Sequence, residues 1–181
     1  MRHLAVVDLA PGWGRFALRP DARTPPRGAV AWSYDSQGNR LCWLADRDGG
    51  AAGRAACDLE WRERVPGPAL LRLAPAGLDF WRFWVLAELA AKLAAMPILE
   101  WLRRYRCGQV PPLPVGARAL VVPRWDGRWT LGFAHVVARP SAGERKPRQR
   151  SPWGFAAGRI TVWDTTDAAG ASGRGVAQEV I

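Results

Sequence analysis

The sequence contains little of the chemistry that metal and disulfide sites need. Its three cysteines, Cys42, Cys57 and Cys107, are widely separated, and no two of them have the C-x-x-C spacing. Histidine occurs only at His3 and His135. An odd number of scattered cysteines excludes a disulfide framework, and so few Cys and His side chains give no pattern typical of zinc. We therefore expect reduced, mostly buried thiols, with no metal and no cofactor.

Long hydrophobic runs are also missing. The N-terminal stretch MRHLAVVDLAPGWGR has too short an apolar run for a secretory signal peptide, and Asp8 follows that run directly. Residues 83–99 are the most apolar segment, but two charged residues and Pro97 interrupt it, and a membrane-spanning helix needs about 20 mostly apolar residues. We expect a cytoplasmic protein. Trp84, Trp101 and the flanking arginines leave attachment to a membrane surface as a disfavoured alternative.

Lysine is scarce, although the chain is strongly basic. Among 26 basic residues only Lys92 and Lys146 are lysine, and 16 acids leave a formal net charge of +10. Such an excess favours a polyanionic partner, with nucleic acid first. Arginine, alanine, glycine and proline together are also typical of a GC-rich coding sequence, so codon usage accounts for part of the arginine. We predict a DNA or RNA partner and a bacterial, phage or plasmid origin.

The residues that are plentiful are apolar and aromatic. Apolar residues make up 49% of the chain, and 11 tryptophans are far more than a disordered segment carries. A length of 181 residues fits one domain, which we place at residues 1–138. Its first part is rich in period-two patterns bounded by Gly, Pro and Asp. These patterns predict strands at residues 3–8, 14–18, 29–34, 40–45 and 57–62.

The stretch SYDSQGNRL, residues 33–41, is typical of a hairpin. Asp35, Ser36, Gly38 and Asn39 are turn-forming residues between apolar and aromatic runs, which predicts a loop of about four residues. The stretch also resembles one unit of the YD repeats of large shell-forming toxin proteins, whose units share a Tyr-Asp, a Gly and a following Leu. Such shells need many stacked units and this chain has one, so the resemblance implies hairpin chemistry and no function.

A second hairpin is predicted in ARALVVPRWDGRWTLGFAHVVAR. Asp126 and Gly127 are the most favoured residue pair for a two-residue hairpin turn. Pro123 cannot donate to a ladder, which predicts an edge strand or a bulge there. The return strand alternates, so one face should lie in the core. That face comprises Trp129, Leu131, Phe133 and His135.

Residues 79–107 form the helical region. Asp79 is a good N-cap, and Pro97 removes a backbone donor, which predicts a kink or two separate helices. Glu88 and Lys92 are four residues apart in the favourable order for a helical ion pair. Together with the hairpins, this region predicts an α+β fold in which antiparallel β-hairpins pack against a kinked or split helical region.

The composition changes after the second hairpin. RPSAGERKPRQRSP has five basic residues against one acid, and no aliphatic side chain larger than Ala. We predict a flexible basic arm at residues 139–158. Residues 159–181 should hold a last strand, at 159–163, and a tail of small residues.

The basic arm is the predicted nucleic-acid site. Arginine and lysine on a flexible segment approach phosphates, and a tryptophan beside them stacks on an unpaired base. A second basic group at the end of the helical region extends this surface. The predicted binding residues are Arg103, Arg104, Arg106, Arg139, Arg145, Lys146, Arg148, Arg150 and Trp153. This pattern favours a non-catalytic nucleic-acid-binding or ribonucleoprotein-associated accessory protein, with a larger protein complex left open.

Two alternatives remain from the sequence. A metal-dependent nuclease would use Asp8, Asp58 and Glu60, since the last two are two apart on a strand and share a face. The segment Gly143-Glu144-Arg145-Lys146 resembles the G-E-R-R phosphate-binding motif of plasmid-partition ParB-like domains, which implies a ParB-like nuclease of a mobile element. The other alternative is a protein-interaction or membrane-associated inhibitor that binds through exposed tryptophans.

Overall fold

The structure is a computed structural model that describes residues 5–10, 12–20, 24, 26–44, 54–105, 109, 111–136, 159–164 and 176–180. The chain is an α+β protein with two sheets and three helices in these ranges, so the predicted fold class is confirmed. The predicted basic arm at residues 139–158 lies outside the described residues.

The first sheet has four strands, all antiparallel to their neighbours, in the order β1-β2-β4-β3. They are β1 (Ala5–Asp8), β2 (Arg15–Pro20), β3 (Ala31–Tyr34) and β4 (Asn39–Leu44).

The β3–β4 connection is the predicted hairpin. The Asp35 carboxylate accepts hydrogen bonds from the backbone N–H of Gln37 at 2.8 Å and of Asn39 at 2.9 Å. Gly38 has φ +82°, which a residue with a Cβ rarely adopts. Asp35 thus closes the turn with its own side chain, as turn-forming aspartates do.

The second sheet has five strands in the order β5-β7-β6-β8-β9. They are β5 (Ala55–Trp61), β6 (Ala117–Trp125), β7 (Trp129–Val136), β8 (Arg159–Asp164) and β9 (Val176–Val180). The β6–β8 pair is parallel and the other pairs are antiparallel. The strand predicted at 159–163 coincides with β8, whereas β9 lies where the sequence predicted only a tail.

The turn between β6 and β7 confirms the second predicted hairpin. Asp126 and Gly127 both have positive φ, at 49° and 68°, as the favoured hairpin turns require. The register pairs Trp125 with Trp129, so the loop has three residues and not the two that were predicted. The register shifts between Val122 and Trp125, so the strand is bulged at Pro123, as predicted.

Three helices follow β5 along the chain. They are α1 (Pro68–Leu71), α2 (Phe80–Leu93) and α3 (Ile98–Arg104). Asp79 caps α2 by accepting a hydrogen bond from the backbone N–H of Arg82 at 3.1 Å. The chain leaves the helical conformation before Pro97, so the predicted split into two helices is confirmed.

Two apolar cores set the order of the layers. The first core lies between the sheets and contains Phe16 and Trp43 from the first sheet with Leu131 and Phe133 from the second. The second core lies on the opposite face of the second sheet, where α2 packs. The layers are therefore first sheet, second sheet and helices, and within the described residues no helix covers the outer face of the first sheet.

Candidate functional site

The predicted basic residues divide into two groups. Arg103 and Arg104 lie in the last turn of α3, where they complement the helix dipole. Both are exposed, and Arg104 forms an ion pair with Glu100 one turn earlier. The remaining predicted contacts lie outside the described residues, and they are Arg106, Arg139, Arg145, Lys146, Arg148, Arg150 and Trp153.

The three candidate nuclease acids lie in two different places. Asp8 is exposed at the end of β1, on the side of the first sheet that is turned away from the core. Asp58 and Glu60 lie on the face of β5 that α2 covers, so the structure brings these two together, as their spacing predicts. In the described ranges no three His, Cys, Asp or Glu side chains are arranged to hold a metal ion.

Asp58 belongs instead to a polar cluster of Ser33, Asp58, Glu60, Glu88 and Lys92, which we call the buried polar cluster after its two buried members, Ser33 and Asp58. Glu60 and Glu88 are half-buried, and Lys92 lies at the exposed edge of the cluster. The Lys92 ammonium donates to Asp58 Oδ1 at 2.6 Å and to Ser33 Oγ at 3.0 Å. The Ser33 hydroxyl donates to the same Asp58 oxygen at 3.0 Å. Because the Asp58 side chain is only 5% exposed, the lysine is the cation that stabilises its charge.

The protonation states in this cluster do not suit nucleophilic catalysis. Burial by itself lowers the pKa of Lys92, but attraction and hydrogen bonding to Asp58 outweigh burial and raise it. A lysine that stays protonated cannot take the proton of Ser33. Burial also raises the pKa of Cys57, so this residue stays a neutral thiol. Neither Ser33 nor Cys57 is therefore activated as a nucleophile in this arrangement.

Two glutamates in the cluster have strongly shifted pKa values. Burial, and secondarily the charge of Asp58, raises the pKa of Glu60 and of Glu88 to about 7 each. The indole N–H of Trp84 donates to Glu60 Oε1 at 2.9 Å. Both carboxyl groups therefore change charge near neutral pH.

This charge change predicts a pH-dependent stability. A carboxyl pKa raised on folding stabilises the protonated folded state, so the free energy of unfolding should fall as pH rises from about 4.5 to about 7. Glu88→Gln should remove about 1 to 2 kcal/mol of that fall, after allowance for solvent screening. Urea unfolding at about pH 5 and about pH 8 measures it. Glu63→Gln, on an exposed residue, should leave the fall unchanged. Equal falls in Glu88→Gln and wild type would contradict the prediction.

The outer face of the first sheet, defined by Trp32, Tyr34, Arg40, Arg15 and Val6, carries two exposed aromatic rings on its edge strand β3. In the centre of this face Cys42 and Ala17, which follow Trp32 in the register, are buried. Trp32 is 53% exposed and Tyr34 is 70% exposed, although both lie within a strand. They are two residues apart on β3 and share the side of the sheet opposite the core. Arg40 is the neighbour of Tyr34 in the register, and Arg15 lies on the next strand, β2.

Strand β3 is held firmly from its inner side. Ser33 lies between the two aromatic residues and is fixed by Asp58 and Lys92 of the buried polar cluster. Asp35, which is 5% exposed, accepts a hydrogen bond from the indole N–H of Trp129 at 3.2 Å. The outward direction of Trp32 and Tyr34 is therefore set by buried contacts.

Sequence reasoning missed this face. The available signal was the alternation AWSY, in which Ala31 and Ser33 are small and the residues after them are aromatic. Strand alternation alone does not tell which of the two sides is buried, and aromatic residues usually predict the buried side.

Within the described residues, each helix is too short or too polar to cross a lipid bilayer.

The chain was also compared with known proteins. It matches no protein-family model, no curated protein and no solved structure.

Proposed function

We propose that this chain is a non-catalytic nucleic-acid-binding or ribonucleoprotein-associated accessory protein of a bacterium, phage or plasmid. The supporting observation is that few of the arginines that the structure describes have acidic partners. Within the described ranges the ion pairs are Arg62–Asp79, Lys92–Asp58 and Arg104–Glu100. Nine exposed arginines have no carboxylate within 4 Å among the described residues, and they are Arg15, Arg27, Arg54, Arg64, Arg72, Arg103, Arg118, Arg124 and Arg128.

Unpaired surface arginine favours a polyanion for a physical reason. Each guanidinium that meets a phosphate releases condensed counterions, so binding strengthens as salt is lowered. A paired arginine contributes less, because its carboxylate must be displaced or repels the phosphate. With a net charge of +10 on the whole chain, the unpaired arginines supply the electrostatic attraction that non-specific nucleic-acid binding needs.

The basic arm should supply a measurable share of this attraction. Replacing Arg145, Lys146, Arg148 and Arg150 together by Ala should weaken binding to single-stranded and duplex oligonucleotides alike. It should also reduce the slope of log K against log salt by about 3, since each phosphate contact contributes about 0.7 to 0.9. Fluorescence anisotropy of a dye-labelled oligonucleotide over a salt series measures both effects.

A matched control distinguishes the contribution of the arm to binding from that of positive charge elsewhere on the protein. Replacing Arg64, Arg72, Arg118 and Arg128 by Ala also removes four positive charges, all from exposed positions of the folded part. An equal loss in the two quadruple variants would overturn the role of the arm. Wild-type protein that binds no oligonucleotide at low salt would overturn the proposed function. Mg²⁺-dependent cleavage that Asp58→Asn abolishes would establish the nuclease alternative instead.

A further inference from the structure

We propose that the outer face of the first sheet is a stacking platform for unpaired bases, which makes single-stranded nucleic acid the preferred ligand. This inference rests on the proposed function, since it assumes that the protein binds nucleic acid. It adds a site that the sequence did not predict and a class of ligand.

Trp32 and Tyr34 expose their rings to solvent on the same side of β3. Among the described residues, Trp32 and Tyr34 are the large aromatic side chains left exposed; the other exposed large apolar residues are aliphatic. Two residues on one side of a strand are about 7 Å apart, so each ring offers its own surface to a base. Stacking on such rings does not depend on the identity of the base, because every base has a π-face.

Arg40 places a positive charge beside these rings. Arg40 is the register neighbour of Tyr34 and has no carboxylate within 4 Å in the described ranges. Its Nε atom is buried and makes no hydrogen bond there. Asp8 is the one acid on this face among the described residues, and it is the register neighbour of Arg15 on β1 and β2, the two strands farthest from β3. Positive charge therefore lies next to the aromatic pair, where the phosphates of a stacked strand would be.

The combination selects unpaired bases over a duplex. In a duplex both faces of each base are already stacked on neighbours, so rings on a flat sheet have no base surface to contact. A protein partner would be expected to meet a more continuous apolar patch, and Val6 is the only exposed large aliphatic side chain described on this face. Because buried contacts fix β3, the backbone that carries the rings does not have to be ordered when a nucleic-acid strand binds.

The test compares ring removal with ring replacement. A dye-labelled thymidine oligonucleotide of about 20 nucleotides and a duplex of equal length are titrated at one salt concentration. Trp32→Ala and Tyr34→Ala should each weaken single-strand binding about 5- to 150-fold and leave duplex binding within about 2-fold. Trp32→Phe and Tyr34→Phe keep a ring at each position and should retain most of the single-strand affinity.

The outcomes separate the inference from the proposed function. Leu99→Ala removes an exposed apolar side chain on α3 and should change neither titration. If the two Ala variants bind the single strand as wild type does, or if wild type prefers the duplex, the platform is refuted while nucleic-acid binding stands. If wild type binds neither oligonucleotide, both proposals fail. Circular dichroism and unfolding curves identify any variant that fails to fold, and the Phe variants then decide.

Discussion

Lys92→Met is expected to lower the free energy of unfolding by about 2 to 3 kcal/mol, because it leaves a buried carboxylate without its cation; this is the low end for a buried pair, since the Lys92 side chain is 35% exposed. Asp58 is 5% exposed, and its Oδ1 atom lies 2.6 Å from the ammonium of Lys92. Its other oxygen, Oδ2, has no hydrogen-bond partner among the described residues, and the Ser33 hydroxyl that donates to Oδ1 carries no charge, so neither replaces the lost cation. Methionine keeps the apolar stem of the lysine, so the loss reports the charge. Urea unfolding at neutral pH measures it.

Two further variants make this result specific. The double variant Asp58→Asn with Lys92→Met removes both charges and should recover part of the stability, since breaking a buried pair costs more than replacing it. Arg104→Met breaks the exposed ion pair with Glu100 and should cost no more than about 1 kcal/mol. If Lys92→Met costs no more than Arg104→Met, the buried polar cluster does not stabilise the fold as described.

The buried polar cluster bears on both the nuclease alternative and the proposed ligand-binding face. Its Asp58 was a candidate metal ligand for the nuclease alternative, but Lys92 occupies one oxygen of that carboxylate. Its Ser33 instead fixes the strand that presents Trp32 and Tyr34. The structure therefore supports a scaffolding role for these residues, and the contact with a ligand is proposed for the opposite side of β3.

Local sequence signals were sufficient to predict the turns and the division of the helical region. Asp35 and Gly38 mark the first hairpin because their turn chemistry involves only neighbouring residues. Pro97 divides the helical region because proline lacks the backbone donor that a continuous helix needs. The bulge at Pro123 follows from the same missing N–H. Each of these predictions depends on a few residues close in sequence, and each is confirmed.

Contacts between distant residues could not be predicted in the same way. Lys92 was expected to pair with Glu88 one turn away, yet its ion-pair partner in the described ranges is Asp58, 34 residues distant, because α2 lies across β5. The exposure of Trp32 likewise depends on which face of the first sheet meets the second. A single sequence gives the period of a strand but not the order of the layers, and the layers decide these two features.

The packing of α2 against the second sheet depends on Gly132, which lies in the middle of β7. A Cβ at Gly132 would lie 2.2 Å from Val85 Cγ1 and 2.8 Å from Leu89 Cδ1. Val85 is fully buried on α2, and a valine in a helix has essentially one side-chain rotamer, so it cannot rotate away. Gly132 therefore permits the close approach that brings Lys92 to Asp58.

Gly132→Ala should consequently destabilise the protein by about 1 to 3 kcal/mol, even though Gly→Ala in an unstrained strand usually stabilises. Urea unfolding measures the change. Gly67→Ala is the matched control, because nothing lies within 4 Å of a Cβ there, and it should cost less than about 1 kcal/mol. In the double variant Gly132→Ala with Val85→Ala, the methyl added at position 132 occupies space that the Val85 methyl groups leave. The double variant should therefore be more stable than the sum of the two single changes predicts. Additive losses would show that α2 does not depend on this contact for its position.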